Sequence, residues 1–263
     1  MIIRLIVISL MAIALGLMGF TRGIQQPVVE SLPELVNPYL IRDDLPDLSA
    51  ETDIKQKKLK FFSALLPIVQ AENEHTLSLR SALVDFQQEL SLNQSLTDED
   101  TLWLDQLAGR YRIKNCVENE VVCIEELLSR VDIIPASLVL AQAANESAWG
   151  TSRFATEGNN IFGQWCFKKG CGLVPEGREG DAIHEVKSFD WIHDSVRAYM
   201  MNLNTHRSYR KLREIRTAKR NAGASIQGVD MAQGLISYSQ RGEAYIEEIV
   251  NMIQFNKMEK FDS

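Results

Sequence analysis

Apolar residues recur at three- and four-residue steps through much of the chain, which is the pattern of helices that bury one face. The first such stretch covers residues 54–92 and contains Pro67, so it predicts either two helices or one helix kinked at the proline. Thr97 and the three acidic residues after it have the composition of a helix N-cap and first turn. The pattern predicts further helices near residues 124–128, 194–203 and 243–255. The chain is therefore predicted to be mainly α.

One stretch, residues 134–150, places a single carboxylate on an otherwise small and apolar helix. Pro135 suits a first helical turn, and the Leu, Val and Ala residues behind it are typical of a buried helix. Helical spacing puts Gln142, which cannot neutralise a carboxylate, beside Glu146. If Glu146 is buried, desolvation raises its pKa and makes it a proton donor near neutral pH. The alternative is a solvated glutamate at the helix end before Gly150.

The N-terminus has the pattern of an export signal. Arg4 precedes an apolar run over residues 5–20, and Arg22 closes it. This length lies between the core of a signal peptide and the ~20 residues that span a bilayer, so residues 1–22 are predicted to be a signal peptide or an inner-membrane anchor. Residues 23–53 hold four of the seven prolines and no regular period, and they are predicted to be a linker.

Four cysteines occur as two close pairs, Cys116 with Cys123 and Cys166 with Cys171. An oxidising compartment would turn these pairs into two short-loop disulfides, in agreement with export to the periplasm. Zinc is the competing interpretation, but the C-x2-C spacing of structural zinc sites is absent from the sequence. No metal site is predicted.

Composition limits the class of partner. Charged residues make up 24% of the chain and the net charge is −7, whereas nucleic-acid binding requires a strongly basic domain. Only residues 207–220 are basic, and their alternation with apolar residues predicts a helix with a solvated outer face, or a face that meets the anionic peptides of a cell-wall polymer. Glu72 and His75 are also interpreted as solvated. No nucleic-acid partner and no cofactor are predicted.

Glycines, amides and aromatic residues cluster at Asn160, Phe162, Gly163 and Trp165. This combination suits a sugar site, because pyranose rings stack on aromatic side chains and their hydroxyls pair with amides. A turn with capping asparagines is the structural alternative. Residues 171–189 then predict a β-hairpin that carries the acidic residues Glu176, Glu179, Asp181 and Glu185. A helix-borne acid facing an acidic hairpin is the arrangement that glycoside hydrolysis needs.

Three motifs resemble one family. They are Leu-Ala-Gln-Ala-Ala-Asn-Glu-Ser-Ala-Trp-Gly at residues 140–150, Asn-Asn-Ile-Phe-Gly at residues 159–163, and Tyr-Ser-Gln-Arg-Gly-Glu-Ala-Tyr at residues 238–245. Together they are similar to the glucosaminidase group, glycoside hydrolase family 73, from about residue 57 to the C-terminus. The resemblance implies a lysozyme-like helical domain at residues 113–258, after a helical region at residues 54–112.

The resemblance also implies an activity, which is cleavage of the β-1,4 bond after N-acetylglucosamine in peptidoglycan or a related glycan. Glu146 matches the family's general acid, and Tyr238 matches a tyrosine of its active site. Asn160, Phe162 and Gly163 match the turn that lines its cleft. Trp165 and Glu176 are further candidate substrate contacts.

The second carboxylate does not transfer from the family. Many members carry it in a threonine-rich first hairpin strand, whereas this chain has Gly-Leu-Val-Pro-Glu at residues 172–176. Glu185 on the returning strand is the preferred candidate, followed by Glu176 and then Glu179. Inversion, retention and assistance by the substrate's acetamido group all remain open.

Two other functions compete with a glucosaminidase. A lytic transglycosylase would use one acid and leave anhydro ends, and a non-catalytic glycan-binding or scaffold protein would keep the fold without efficient chemistry. Other enzyme classes are disfavoured, since the G-x-S-x-G, H-E-x-x-H, G-x-x-x-x-G-K and G-x-G-x-x-G motifs are absent from the sequence.

Overall fold

The computed structural model describes residues 31–38, 45–178 and 183–262. Helices provide most of the regular structure there, and three short strands form a small lobe. The helices are α1 (Ile54–Ser91), α2 (Asp98–Arg110), α3 (Glu120–Arg130), α4 (Ala136–Glu146), α5 (Arg153–Gly158), α6 (Ile192–Thr205), α7 (Arg210–Asn221), α8 (Gly228–Ala232) and α9 (Glu243–Phe255). The strands are β1 (Trp165–Cys166), β2 (Gly172–Leu173) and β3 (Glu185–Lys187). The prediction of a mainly α fold with a small β lobe is confirmed, and α1 continues through Pro67 as one helix.

Helix α4 is the buried centre of the larger of the two hydrophobic cores formed by the described residues. Every residue from 136 to 144 is buried, because small and apolar side chains meet neighbours on all sides of the helix. Helices α1, α8 and α9 pack directly against it. The contact with α8 requires glycine, since a Cβ atom on Gly228 would lie 2.0 Å from the hydroxyl of Ser137. The smaller core lies between α1, α2 and α3.

The β lobe is a three-stranded antiparallel sheet in the order β1, β3, β2. Val186 of the central strand pairs with Trp165 on one side and with Leu173 on the other. The predicted hairpin is the pair of β2 with β3, and β1 extends it by one strand. Glu179 and Asp181 lie outside the described residues.

Parts of the predicted linker pack against the helices. Leu48 is fully buried in the larger core, and the indole N–H of Trp103 donates to the carbonyl of Pro33 at 2.9 Å. Apolar residues between the prolines find apolar surface on α1 and α2, which a count of prolines and polar residues does not reveal. Residues 31–38 and 45–53 therefore belong to the folded structure rather than to a free linker.

The export signal predicted for residues 1–22, with the anchor role of residues 5–20, lies outside the described residues. Within the ranges that are described, no helix has both the length and the apolar character needed to cross a membrane.

The prediction that residues 207–220 present a solvated basic face is wrong for two of its arginines. Arg216 is completely buried and Arg213 nearly so. Arg216 donates to four main-chain carbonyls at 2.8–3.3 Å, and Arg220 donates to both carboxylate oxygens of Asp132 at 2.7 and 3.0 Å. The helical period is as predicted, but a period does not reveal which cations meet buried acceptors in the folded chain.

Glu72 is likewise buried rather than solvated. Its Oε1 accepts hydrogen bonds from Nε and Nη2 of Arg197 at 3.0 and 2.9 Å and from Nδ2 of Asn37 at 3.1 Å. The ion pair joins α1 to α6, and the amide brings in the segment before α1. A buried carboxylate is tolerated here because it is both paired and hydrogen-bonded.

Both predicted cysteine pairs are disulfide-bonded. Cys116 and Cys123 have Cα atoms 5.1 Å apart and join the turn before α3 to that helix. Cys166 and Cys171 have Cα atoms 6.3 Å apart and close the loop from β1 to β2. None of the four described cysteines is free.

We expect denatured, unreduced protein isolated from an oxidising compartment to contain no titratable thiol, and reductant to release four thiols per chain. The bridges span only 7 and 5 residues, so the loss of either should lower the free energy of unfolding by about 2 kcal/mol, at the low end of the usual range. Thiol titration and denaturant unfolding measure the two effects. Four free thiols before reduction would contradict both bridges.

Asp262, near the C-terminus, caps the N-terminus of α4. Pro135 precedes the helix and offers no side-chain acceptor. Oδ1 of Asp262 accepts the N–H of Ser137 at 2.8 Å, while Oδ2 accepts the Ser137 hydroxyl at 2.6 Å and the N–H of Gly228 at 2.9 Å. A carboxylate remote in sequence thus satisfies donors that a local N-cap usually satisfies.

We expect Asp262→Ala to lower the free energy of unfolding by about 1–2 kcal/mol, because it leaves these donors without an acceptor. Denaturant unfolding measures the change. Glu247→Ala is a suitable control, since Glu247 is an exposed carboxylate on α9 and should change stability by less than about 0.5 kcal/mol. Equal effects of the two substitutions would contradict the capping role.

Candidate active site

Glu146 is the last residue of α4, and a tight left-handed turn fixes the chain directly after it. Ala148, Trp149 and Gly150 all have positive φ angles, of 51°, 59° and 77°. Ser147 supports the turn, since its hydroxyl donates to a carbonyl one turn back at 2.6 Å and accepts the N–H of Gly150 at 2.7 Å. A left-handed backbone conformation is energetically costly for residues other than glycine, so contacts with surrounding residues must stabilise this turn.

Those contacts come from α1 and from the segment before it. The ring of Trp149 packs edge-on against Phe61 and Phe62, with centroids 5.6 and 5.7 Å apart. A Cβ atom on Gly150 would lie 2.5 Å from the side chain of Leu45, which would have to shift, and the positive φ of Gly150 would strain any other residue there. The position of Glu146 is thus set by the core on one side of the turn and by α4 on the other.

A chain of three hydrogen bonds ends on Glu146. The hydroxyl of Tyr199 donates to Oε1 of Gln142, and Nε2 of Gln142 donates to the hydroxyl of Tyr245 at 2.9 Å. The hydroxyl of Tyr245 in turn donates to Oε1 of Glu146 at 2.8 Å. The first three residues are buried and Glu146 is half-buried, so the chain runs from the core of the protein to its surface.

Burial raises the pKa of the Glu146 carboxyl above its usual value. Hydrogen bonds from Tyr245 and Asn145 and the charge of Arg241 offset part of this rise, and the negative charge of Glu248 adds to it. Burial also raises the pKa of the Tyr245 hydroxyl, which therefore remains a proton donor. Glu146 has the properties required of a general acid, namely a raised pKa and a fixed orientation.

Tyr238 lies beside this chain of hydrogen bonds. Its ring stacks on Tyr245 with centroids 5.2 Å apart and planes 13° apart, and the ring of Tyr199 lies 6.5 Å away. The charge of Glu146 contributes to the raised pKa of Tyr238, after burial and the influence of Tyr245. The structure thus brings Tyr238 and Glu146 to one region of the molecule.

Asn160, Phe162 and Gly163 support the region from inside. Nδ2 of Asn160 donates to the carbonyls of Gln164 and Lys187 at 2.9 and 2.8 Å, and its Oδ1 accepts the N–H of Gln164 at 3.0 Å. The ring of Phe162 is buried and stacks on Tyr199 with centroids 3.9 Å apart. Asn160 therefore holds a turn together, which is the structural alternative that the sequence left open, and Gly163 supplies its positive φ of 64°.

Glu185 is engaged by the main chain of the β lobe. Its Oε1 accepts the N–H of Gly170 at 3.0 Å, and its Oε2 accepts the N–H of Gly172 at 2.9 Å. These N–H groups hold the pKa of the Glu185 carboxyl below its usual value. A buried carboxylate with both oxygens committed to one loop fits a structural role, and the expectation that Glu185 supplies the second catalytic carboxylate does not fit this geometry.

Trp165 and Glu176 are both exposed. Trp165 is 58% exposed, and its ring stacks on His184 with centroids 4.2 Å apart. The side chain of Glu176 is 91% exposed and lies 3.9 Å from Nε of Arg153. An exposed tryptophan backed by a second ring can stack on a sugar, whereas Glu176 is a solvated carboxylate near one cation.

Similarity to known proteins identifies the family. The sequence model of the glucosaminidase family, described as mannosyl-glycoprotein endo-beta-N-acetylglucosaminidase, matches residues 123–258. Protein bax of Escherichia coli (strain K12) is 32% identical over 213 residues, which cover 81% of this chain and 74% of that protein. The chain belongs to the glucosaminidase family. No solved structure matches it.

Membership in the glucosaminidase family makes the chain glycoside hydrolase-like, with glycans as its class of substrate. The matched range contains α4, the β lobe, α6 and α9, so it includes every residue of the hydrogen-bonded series described above.

Three residues of this family member's site were not predicted from the sequence. The sequence identifies Gln142 only as a neighbour that cannot neutralise Glu146, and Tyr245 only as the end of a motif. Tyr199 lies in a helix predicted from its amphipathic period alone. The signal available for Gln142 was its place one turn before Glu146 as the one amide among small apolar residues in the buried stretch of α4.

A metal site has little support in the described part of the chain. The one group there with suitable geometry is Cys166, Cys171 and Glu185. The two sulfur atoms are bonded to each other, and a disulfide offers no thiolate to a metal.

Proposed function

We propose that this protein is an exported glycoside hydrolase that cleaves the β-1,4 bond after N-acetylglucosamine in peptidoglycan or a related glycan, with Glu146 as the general acid. The observation that carries the proposal is the half-buried Glu146 carboxyl, with a raised pKa and an orientation set by Tyr245, in a member of the glucosaminidase family. We assign the catalytic domain to residues 113–258.

In the proposed reaction, protonated Glu146 donates its proton to the glycosidic oxygen as the bond to the anomeric carbon breaks. The raised pKa keeps a larger fraction of the group protonated near neutral pH than an ordinary carboxyl would have. The cleavage rate should therefore fall as the pH rises through this raised pKa. Once ionised, Glu146 can accept a proton from the water that completes hydrolysis.

The developing positive charge needs a second group, and we propose the substrate's own 2-acetamido oxygen. Glu185 has both carboxylate oxygens committed to backbone N–H groups, and Glu176 is almost fully solvated. The acetamido oxygen would bond to the anomeric carbon as the leaving oxygen takes the proton, and water would then open the cyclic intermediate. This route uses one protein carboxylate.

Tyr238 and Trp165 are the proposed substrate contacts. Tyr238 stacks on Tyr245 next to the acid, and Trp165 presents an exposed ring on the β lobe. The export part of the proposal is supported by the two disulfides, which persist in oxidising compartments such as the periplasm.

Mass spectrometry of fragments released from purified cell-wall sacculi tests the proposed bond. A glucosaminidase leaves reducing N-acetylglucosamine ends, which borohydride converts to the corresponding alditol. Fragments that end in anhydro sugars would instead indicate a lytic transglycosylase, which is the second candidate because it also needs a single acid. Failure of the wild-type protein to release any fragment while it binds sacculi would indicate a glycan-binding protein.

A further inference from the structure

The hydrogen bonds behind Glu146 have a direction that the buried groups themselves impose. A tyrosine hydroxyl has one proton to donate, whereas a glutamine side chain offers an acceptor oxygen and a donor nitrogen. Tyr199, Gln142 and Tyr245 are buried, so each donor must find its acceptor inside the protein. Gln142 Oε1 is the acceptor for the Tyr199 hydroxyl among the described residues.

If the Gln142 amide had the alternative orientation, the direction of these hydrogen bonds would be reversed. Nε2 would then face Tyr199, and the Tyr199 proton would lose its acceptor within a buried site. Oε1 would face Tyr245 and attract the proton that Tyr245 gives to Glu146. An unsatisfied buried donor is costly, so the Tyr199 hydroxyl selects the orientation in which Tyr245 donates to Glu146.

The direction of these hydrogen bonds determines which carboxyl oxygen of Glu146 carries the acidic proton. Oε1 accepts the proton of Tyr245 at 2.8 Å, and the carbonyl oxygen of a neutral carboxyl is its better acceptor. The transferable proton then belongs on Oε2. We propose that Gln142 and Tyr199 are positioning residues that hold Tyr245 as a donor to Oε1 of Glu146, so that the acid proton is carried on Oε2.

This inference rests on the proposed function of Glu146, but its test does not require substrate. Removing a donor from a carboxylate destabilises the ionised form and raises the carboxyl pKa. Hydrogen bonds from Tyr245 and Asn145 and the charges of Arg241 before α9 and Glu248 on α9 act on the Glu146 carboxyl. Burial raises the pKa of Tyr199, Tyr238 and Tyr245, and the negative charge of Glu146 raises it further. Substitutions that leave Arg241 and Glu248 in place isolate the contribution of the hydrogen bonds.

The experiment is a carbon-13 NMR titration of the Glu146 carboxyl in the full chain, with Glu146→Gln used to assign the signal. Tyr245→Phe keeps the ring that stacks on Tyr238 and should raise the midpoint of this titration, which is the pKa of the Glu146 carboxyl. Tyr199→Phe keeps the ring on Phe162 and should raise it in the same direction, although the Tyr199 hydroxyl does not contact Glu146. Tyr111→Phe, which removes a buried hydroxyl from the smaller core, should leave the midpoint unchanged.

A midpoint that rises in Tyr245→Phe but stays at the wild-type value in Tyr199→Phe would overturn the proposal. If Tyr199→Phe does not fold, Gln142→Met is the second variant, and it should also raise the midpoint because Tyr245 loses the N–H that polarises its hydroxyl. The alkaline limb of the cleavage rate should move upward with the midpoint, which a purely structural role would not produce. Full activity of Glu146→Gln would instead refute the proposed function, so the two failures are distinguishable.

Discussion

Glu146→Gln should lower the rate of glycan cleavage by about 10²–10⁴-fold while leaving the fold and glycan binding largely intact. The substitution preserves the size of the side chain and its acceptor for the Tyr245 hydroxyl, but it removes the transferable proton. Positioned acid catalysis contributes about this much to enzymatic rates. The measurement is the release of soluble fragments from purified sacculi, with sacculus pelleting as the binding assay.

Glu176→Gln is the matched control for this substitution, and Glu185→Gln tests the structural role of the other described glutamate of the β lobe. Glu176→Gln should cleave near the wild-type rate, because the Glu176 side chain is 91% exposed. Glu185→Gln keeps one acceptor oxygen but replaces the other with an amide that cannot accept the second backbone N–H, so it should lower the stability of the lobe. Digestion of sacculi by Glu146→Gln at the wild-type rate would show that another group is the acid.

Asp132→Asn should lower the free energy of unfolding by about 3–5 kcal/mol, which is the cost of breaking a buried ion pair on one side. Asp132 is buried, and Arg80, Arg216 and Arg220 place nitrogens 3.6, 3.9 and 2.7 Å from its carboxylate. These arginines come from α1 and α7, so the carboxylate joins elements distant in sequence. The neutral variant would leave the buried Arg216 without a counter-charge.

The pH dependence of unfolding gives this prediction a second readout. Burial alone would raise the pKa of Asp132, but the hydrogen bond from Arg220 and the charges of Arg216 and Arg80 hold it below its usual value. A carboxyl with a lowered pKa in the folded state stabilises the protein above its unfolded pKa, and this stabilisation is lost as the pH falls through the folded pKa. Asp132→Asn should abolish that part of the acid dependence.

Asp230→Asn is the matched control for Asp132→Asn. Asp230 lies 2.6 Å from Lys219, but both side chains are about one-third exposed, so the loss of this pair should cost no more than about 1 kcal/mol. Denaturant unfolding compares the two variants. Equally small losses in the free energy of unfolding would show that the arginines around Asp132 do not need its negative charge as a counter-charge.

Local features of the fold could be predicted from the sequence because they depend on neighbours within one element. The predicted helix at residues 243–255 coincides with α9, and the buried character of α4 followed from its small apolar residues. The cysteine pairs followed from spacing. The burial of Glu72 and Arg216 could not be predicted, because their partners come from helices distant in sequence and periodicity carries no information about which helices meet.

The candidate site likewise contains some features that the sequence predicts and others that it does not. Glu146 could be proposed because an isolated carboxylate on an apolar helix is visible in the sequence. The contacts that orient it could not, since Tyr199 reaches α4 from α6 and Tyr245 reaches it from α9, two helices distant from α4 in sequence. Strand position and charge favour Glu185 as the second carboxylate and can be read from the sequence, whereas the backbone N–H groups that occupy its oxygens depend on the fold of the loop.

The most direct test of Glu146 as the general acid is a crystal structure of the Glu146→Gln variant with a bound N-acetylglucosamine-containing oligosaccharide from peptidoglycan. We expect the glycosidic oxygen after an N-acetylglucosamine unit to lie within about 2.6–3.2 Å of the side chain at position 146. An oligosaccharide bound with all of its glycosidic oxygens remote from that side chain, for example only on Trp165, would contradict the assignment.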